Sequence, residues 1–194
     1  MTVTIESKAA LRRRMRAERL AHAEALPNQV RALVFHRPPR PVLEMVPGDG
    51  AIGLYHAVVG EAFASGYTKF FIEQGRTVAL PWFADKAAPM RFRVHSDPFG
   101  CTDLEQGPFG PQPATEAEEV VPFVVFAPLV AFAPDGRRLG QGGGHYDRWL
   151  SANPHALAIG LAWDMQEVAN LPNEPHDRPL AAIVTPTRVI GPFA

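Results

Sequence analysis

The sequence predicts an α/β fold of three layers, with a mostly parallel or mixed central sheet flanked by helices. Short apolar runs at 51–55 and 77–80 bracket a helical stretch at 61–74. That β–α–β order is the mark of parallel strands joined by a right-handed crossover. An apolar, β-branched run at 120–132 supplies a central strand. Further apolar runs at 156–162 and 181–184 follow another helical segment, and such alternation covers a sheet with helices.

Taken in order, residues 5–36 read as helix. Leu11, Met15, Leu20 and Ala23 form a broken apolar stripe, Ser7 stands at the capping position, and Pro27 divides the segment in two. Pro38, Pro39 and Pro41 end it. Ala51 to Tyr55 is a short buried strand. The helix from Glu61 to Gln74 carries Phe63, Tyr67, Phe70 and Phe71 on one side, and Gly75 stops it. Thr77 to Leu80 is the next strand, and Met90 to Val94 alternates apolar residues with arginine as a half-exposed strand does. Residues 97–118, rich in Gly, Pro and polar types, read as a long loop. Val120 to Phe132 is the central strand, Tyr146 to Ala152 a short helix, and Ala156 to Ala162 and Ala181 to Val184 are strands. One domain is expected over 1–194, with no repeat or linker.

An apolar fraction of 46% is ample for a core. A single cysteine, Cys101, excludes an internal disulfide and a cysteine metal cluster. Neither a membrane-spanning run nor a signal-like N-terminus is legible, so a cytoplasmic protein is expected. The net charge of −1 gives no general pull toward nucleic acid or anionic lipid, and a monomer is the default. Charge is uneven, however. Lys8, Arg12, Arg13, Arg14, Arg16 and Arg19 face only Glu18 within residues 8–19. A run of this kind is commonly a solvated helix face. Nucleic-acid binding through it is disfavoured by the neutral total charge and the lack of an aromatic platform.

The densest chemistry lies in Arg137-Arg138-Leu139-Gly140-Gln141-Gly142-Gly143-Gly144-His145-Tyr146-Asp147-Arg148. Glycines let a backbone turn sharply and bring bare N–H groups to a ligand. A helix starting near Gly144 or His145 would aim its free amides into the loop, which favours phosphate. No Lys-Ser or Lys-Thr follows, so this is not a P-loop, and the dinucleotide fingerprint fails because His145 takes its last glycine position. A flexible turn is the plain alternative.

The run resembles the signature of the 5-formyltetrahydrofolate cyclo-ligases, D-x-x-G-x-R-L-G-x-G-x-G-Y-Y-D. Asp135, Gly136, Arg138, Leu139, Gly140, Gly142, Gly144, Tyr146 and Asp147 are offered for it, and His145 departs where the family has tyrosine. The resemblance extends to Lys8-Ala9-Ala10-Leu11-Arg12, Gly60-Glu61, Leu80-Pro81, Phe109-Gly110-Pro111-Gln112-Pro113 and Leu171-Pro172-Asn173-Glu174-Pro175-His176-Asp177. It implies an α/β fold around a mixed sheet. The implied activity is ATP- and magnesium-dependent closure of 5-formyltetrahydrofolate to 5,10-methenyltetrahydrofolate.

The resemblance also implies residue roles. Lys8 and Arg12, four apart on one helix face, would meet ATP phosphates, together with Arg138, Leu139, Gly140, Gln141, Gly142, Gly143, Gly144, His145 and Tyr146. Arg138 can equally point elsewhere. Arg13, Arg14, Arg16 and Arg19 keep the solvated reading. Arg148, one helical turn past Gly144, and Tyr146 are the catalytic candidates; a surface pair is the alternative for Arg148. Asp147 and Asp177 are the magnesium candidates, since that ion takes hard oxygen ligands, and local pairing is the alternative for Asp147. Glu61 is the folate candidate, with an acid in the first turn of a helix as its alternative. His56, Trp82 and Tyr146 are further folate candidates, Trp82 being equally plausible as filler. Trp163 reads as core or pocket wall. A regulatory protein without turnover and a same-fold ATP enzyme with another substrate remain as competing functions.

Overall fold

The computed structural model describes residues 6–97, 99, 101–171 and 178–193. Helix α1 (Lys8–Ala25) starts where the Ser7 hydroxyl accepts a bond from the Ala10 amide, the N-cap expected. Its buried stripe is Leu11, Met15, Arg19 and Ala23, whereas Leu20 is exposed. The stripe is thus a strict i, i+4 row, and an arginine takes the place predicted for a leucine. α2 (Asn28–Leu33) follows Pro27. The next prolines do more than end the helical segment. Pro39 caps α3 (Arg40–Met45) and Pro41 lies in its first turn, where a missing N–H costs no helix bond.

Strands β1 (Ile52–Gly53) and β2 (Val78–Trp82) pair in parallel across helix α4 (Ser65–Glu73). This is the expected β–α–β unit, but the helix starts at Ser65 rather than Glu61. Side chains tie down the preceding loop instead. The Tyr55 hydroxyl donates to the Ala62 carbonyl at 2.6 Å, and Glu61 Oε2 accepts from the Val58 amide at 3.1 Å. Such local bonds compete with the helix for the same backbone.

β3 (Arg91–His95) returns antiparallel to β2. The stretch read as a plain loop contains a hairpin of β4 (Leu104–Gly107) and β5 (Gly110–Pro113). No apolar alternation announces it, and its prolines are tolerated because both strands of a two-stranded sheet are edges. The run 120–132 divides into three. β6 (Glu119–Val120) pairs with β3, β7 (Val124–Pro128) is central, and β8 (Ala131–Phe132) folds back on β9 (Arg138–Leu139). Pro122 and Pro128 mark the breaks. α5 (His145–Ala152), β10 (Leu157–Leu161), a 3-10 turn (Asp164–Gln166), β11 (Ala182–Val184) and β12 (Val189–Ile190) complete the described chain.

The main sheet runs β12-β11-β10-β7-β1-β2-β3-β6. Its five inner strands from β11 to β2 are parallel and the outer ones antiparallel, a mixed sheet as predicted. Successive side chains of β7 divide between two cores. Val124 and Phe126 join Tyr67, Phe71 and Trp163 on one face, while Val125 joins Phe92, Trp149 and Leu150 on the other. Each such buried side chain contributes about 1.5–3 kcal/mol. A third, smaller cluster packs Leu11 and Met15 of α1 onto Val130, Ala131 and Leu139 of the β8–β9 hairpin. That contact brings α1 to the carboxyl end of β7.

Candidate active site

A cavity of about 830 Å³ opens at the carboxyl ends of β1, β2 and β7, where sheets of this kind receive ligands. Tyr55 and His56 enter it just beyond β1, Leu80, Pro81 and Phe83 at the end of β2, and Pro128 at the end of β7. Lys8, Arg12 and Arg19 come from α1, and Phe109, Gly110, Pro111 and Gln112 from the β4–β5 hairpin. The glycine loop and the first turn of α5 close the ring.

The loop leaves the β8–β9 hairpin rather than β7 itself, and α5 begins at His145 as expected. Gly142 at φ +104 and Gly144 at φ +64 hold left-handed conformations that strain other residues. Gly144 caps α5 without a side chain, so the first helix amides carry no side-chain cap. Amides of this kind and the helix dipole suit a phosphate. Arg12 Nε donates to the Gly140 carbonyl at 2.9 Å. Arg16 donates through Nε to Gln141 Oε1 at 2.9 Å and through Nη2 to the Gln141 carbonyl at 2.6 Å. Lys8, one turn before Arg12, lines the same wall. Arg16, read as solvated, therefore grips the loop. Arg14 keeps the solvated reading and pairs with Glu6 and Glu18.

Beside the loop lies Glu61. Its Oε1 accepts from Gln141 Nε2 at 2.9 Å and stands 3.7 Å from Arg19 Nη1. Arg19 also donates to the Leu129 carbonyl at 2.9 Å. Burial pulls the Arg19 guanidinium below its ordinary pKa, and the Glu61 charge opposes that pull. Arg19 is thus no surface charge, and Glu61 is no helix-start acid. A carboxylate has about four acceptor positions, so Glu61 retains capacity for a ligand donor.

On the far wall, Arg138 Nη2 donates to Asp147 Oδ1 at 2.6 Å. Arg138 also reaches the Arg178 carbonyl. Of the two metal candidates, Asp147 lines the cavity and Asp177 lies outside the described residues. No group of three or more His, Cys, Asp or Glu suited to a metal occurs among the described residues. Magnesium does not need one, since one or two carboxylates with phosphate and water oxygens suffice. Asp147 presents one such carboxylate at the cavity wall.

His145 lines the cavity, its ring 4.9 Å from Phe83 and 5.2 Å from Phe109. Burial, then the Arg148 charge, lower its pKa from 6.5. Arg148 itself is exposed, does not line the cavity, and bonds His145 Nδ1 at 3.2 Å. The structure therefore places Arg148 at the rim on His145, neither lining the cavity nor pairing with Asp147 or a loop acid in the contacts above. Tyr146 lines the cavity, and burial followed by the Glu61 charge raises its phenol pKa. Leu139 lines it too while packing in the third cluster. Trp82 is not a wall residue. Arg93 lies over its ring at 4.4 Å, and the neighbouring Phe83 faces the cavity instead. Trp163 is core, as read, and its Nε1 donates to the Gly60 carbonyl at 3.0 Å, bracing the turn that carries Glu61.

A protein-family model described as the 5-formyltetrahydrofolate cyclo-ligase family matches residues 4–186. The chain belongs to that family. This cyclo-ligase is 42% identical over 142 residues to the 5-formyltetrahydrofolate cyclo-ligase of Haemophilus influenzae, covering 69% of this chain and 74% of that protein. It is 44% identical over 84 residues to the Escherichia coli K12 protein of the same name, covering 40% and 46%. In fold it matches the Aquifex aeolicus 5,10-methenyltetrahydrofolate synthetase, with a TM-score of 0.73, 24% identity, and 96% and 93% of the two chains covered. As a cyclo-ligase the chain is an enzyme of folate one-carbon chemistry.

Phe83 and Gln112, two further contributors to the cyclo-ligase cavity, carry no individual role in the sequence reading. Phe83 was overshadowed by Trp82. Gln112 is buried and bonds the Phe83 amide through Oε1 at 3.1 Å and the Phe83 carbonyl through Nε2 at 3.2 Å, fastening the hairpin to β2. Among the described residues no helix is long and apolar enough to cross a membrane.

Proposed function

We propose that this enzyme, acting as a single-domain cytoplasmic monomer, closes 5-formyltetrahydrofolate to 5,10-methenyltetrahydrofolate with ATP as cosubstrate and magnesium as the metal. One observation carries this reading. The glycine loop with its basic wall and the buried acid Glu61, joined to the loop through Gln141, line one and the same cavity. A phosphoryl donor and a ring acceptor can therefore lie side by side.

The formyl oxygen of an amide is a poor leaving group. Its attack on the γ-phosphorus of ATP expels ADP and turns it into a phosphate ester oxygen. N10 then adds to the activated carbon and loses its proton, and phosphate departs with the former formyl oxygen. Positioning and charge neutralisation carry most of such a reaction. In this reading Lys8, Arg12 and the amides of Gly140 to Gly144 hold the polyphosphate. Glu61 accepts hydrogen bonds from the amino edge of the pterin, and Phe83 with Phe109 gives an apolar wall for the flat rings. Asp147, with Asp177 as its proposed partner, would hold the magnesium, which neutralises phosphate charge.

The test mixes purified protein with 5-formyltetrahydrofolate, ATP and magnesium and follows methenyl absorbance. ATP-dependent growth that a chelator abolishes supports the assignment. Absence of product despite binding of both ligands favours a regulatory protein, and absence of folate binding points to another substrate.

A further inference from the structure

The Gln141 side chain bridges the two places assigned to different substrates. Its Oε1 accepts from Arg16 Nε and its Nε2 donates to Glu61 Oε1, each at 2.9 Å. Only this orientation of the amide satisfies both neighbours, because a guanidinium needs an acceptor and a carboxylate needs a donor. The backbone of the same residue stands in the glycine loop, its carbonyl held by Arg16 at 2.6 Å. Glu61 is fixed in turn by Arg19 and by the Val58 amide. Arg16 and Arg19 lie on neighbouring turns of α1, so the row Arg16–Gln141–Glu61–Arg19 closes into a ring through the helix. The glycine signature leaves position 141 open, so this bridge is a feature of the chain's own residue.

We propose that Gln141 is a positioning residue that couples the two substrates, so that nucleotide on the glycine loop raises the affinity for folate at Glu61. The inference rests on the substrate assignment proposed above. Phosphate oxygens bonded to the loop amides hold the backbone at Gln141 still. Its side-chain amide then stays in place for Glu61, and the carboxylate is oriented before the ring arrives. The first ligand bears the ordering cost and the second binds more tightly. Linkage makes the effect mutual, so folate raises nucleotide affinity by the same factor.

The experiment is calorimetric titration of 5-formyltetrahydrofolate, alone and with saturating β,γ-methylene ATP and magnesium. It compares the native protein with Gln141→Met and Arg16→Met. Methionine fills similar space and carries neither bond. In the native protein the nucleotide should tighten folate binding about fivefold or more, the lower range of ordinary coupling. In Gln141→Met the ratio of the two dissociation constants should fall to about 1, whatever happens to either affinity alone. Arg16→Met releases one side of the amide and should give an intermediate ratio. Arg16 is exposed, so that variant carries the test if Gln141→Met does not fold. Both ligands binding with an undiminished ratio in the folded variants overturns the coupling and leaves the site assignment standing. A native protein that binds nucleotide but not folate overturns the assignment itself, and the coupling with it.

Discussion

Arg19 and Glu61 form an ion pair beneath the cavity, 3.7 Å apart, with each side chain only 5% exposed. Removing one partner of a buried pair strands the other's charge. Arg19→Met should therefore destabilise the protein by about 3–5 kcal/mol. Urea denaturation checks this, and a loss below about 1 kcal/mol would mean that Glu61 finds water or another donor.

Glu61→Gln removes the charge while keeping the shape. A hydrogen bond to a charged group is worth about 1.5–3 kcal/mol, so KM for 5-formyltetrahydrofolate should rise about 10- to 100-fold. ATP affinity measured without folate should stay near its native value. Equal damage to both substrates in steady-state kinetics would remove Glu61 from direct folate contact.

Asp147→Asn tests the metal assignment. Its partner Arg138 is nearly buried, so some stability will be lost with the ion pair. The magnesium needed for half-maximal turnover should rise on the order of tenfold or more. An unchanged magnesium titration in a folded variant would leave Asp147 as a structural partner of Arg138 alone.

His145 links stability to pH. Its folded pKa lies below 6.5, so the fold favours the neutral ring. The stabilisation is complete above 6.5 and is lost as the pH falls below that value, because the unfolded chain then binds more protons. His56, depressed by burial and by His95, acts in the same direction. Melting temperature should therefore drop as the pH goes from about 7 to about 5, and His145→Tyr should shrink the drop. Identical slopes for both proteins would exclude His145 as a contributor.

Gln112 bonds the Phe83 backbone as a neighbouring strand would. Gln112→Ala should cost about 1–3 kcal/mol and speed hydrogen exchange at the Phe83 amide. Unaltered exchange would show that the hairpin is held by Phe83–Phe109 contact instead.

What the sequence made legible follows physical lines. The parallel strands are apolar runs buried on both faces, and the start of α5 is announced by glycines. The loop stood out by its glycines, whereas Lys8 and Arg12 were singled out by the family resemblance, since a charge run by itself reads as a solvated face. The hairpin at 104–113 was hidden because the residues it buries, among them Gln112 and Pro113, do not alternate apolar with polar along either strand. Arg19 was hidden because a run of charges commonly marks a solvated helix face, although the i, i+4 row through Leu11, Met15 and Ala23 passes through it. Arg16 could not be singled out, since only the folded loop supplies its partners. Trp82 drew attention by ring size, but packing with Arg93 decided its place.

Arg12, Arg16 and Arg19 bond partners 128, 125 and 110 positions further along the chain. A growing polypeptide thus makes α1 well before anything exists for it to hold. At roughly 5–20 residues per second, the helix waits on the order of ten seconds at the ribosome with Leu11 and Met15 uncovered. The arginine that closes the cavity floor thus depends on a partner carbonyl that the chain supplies only 110 residues later.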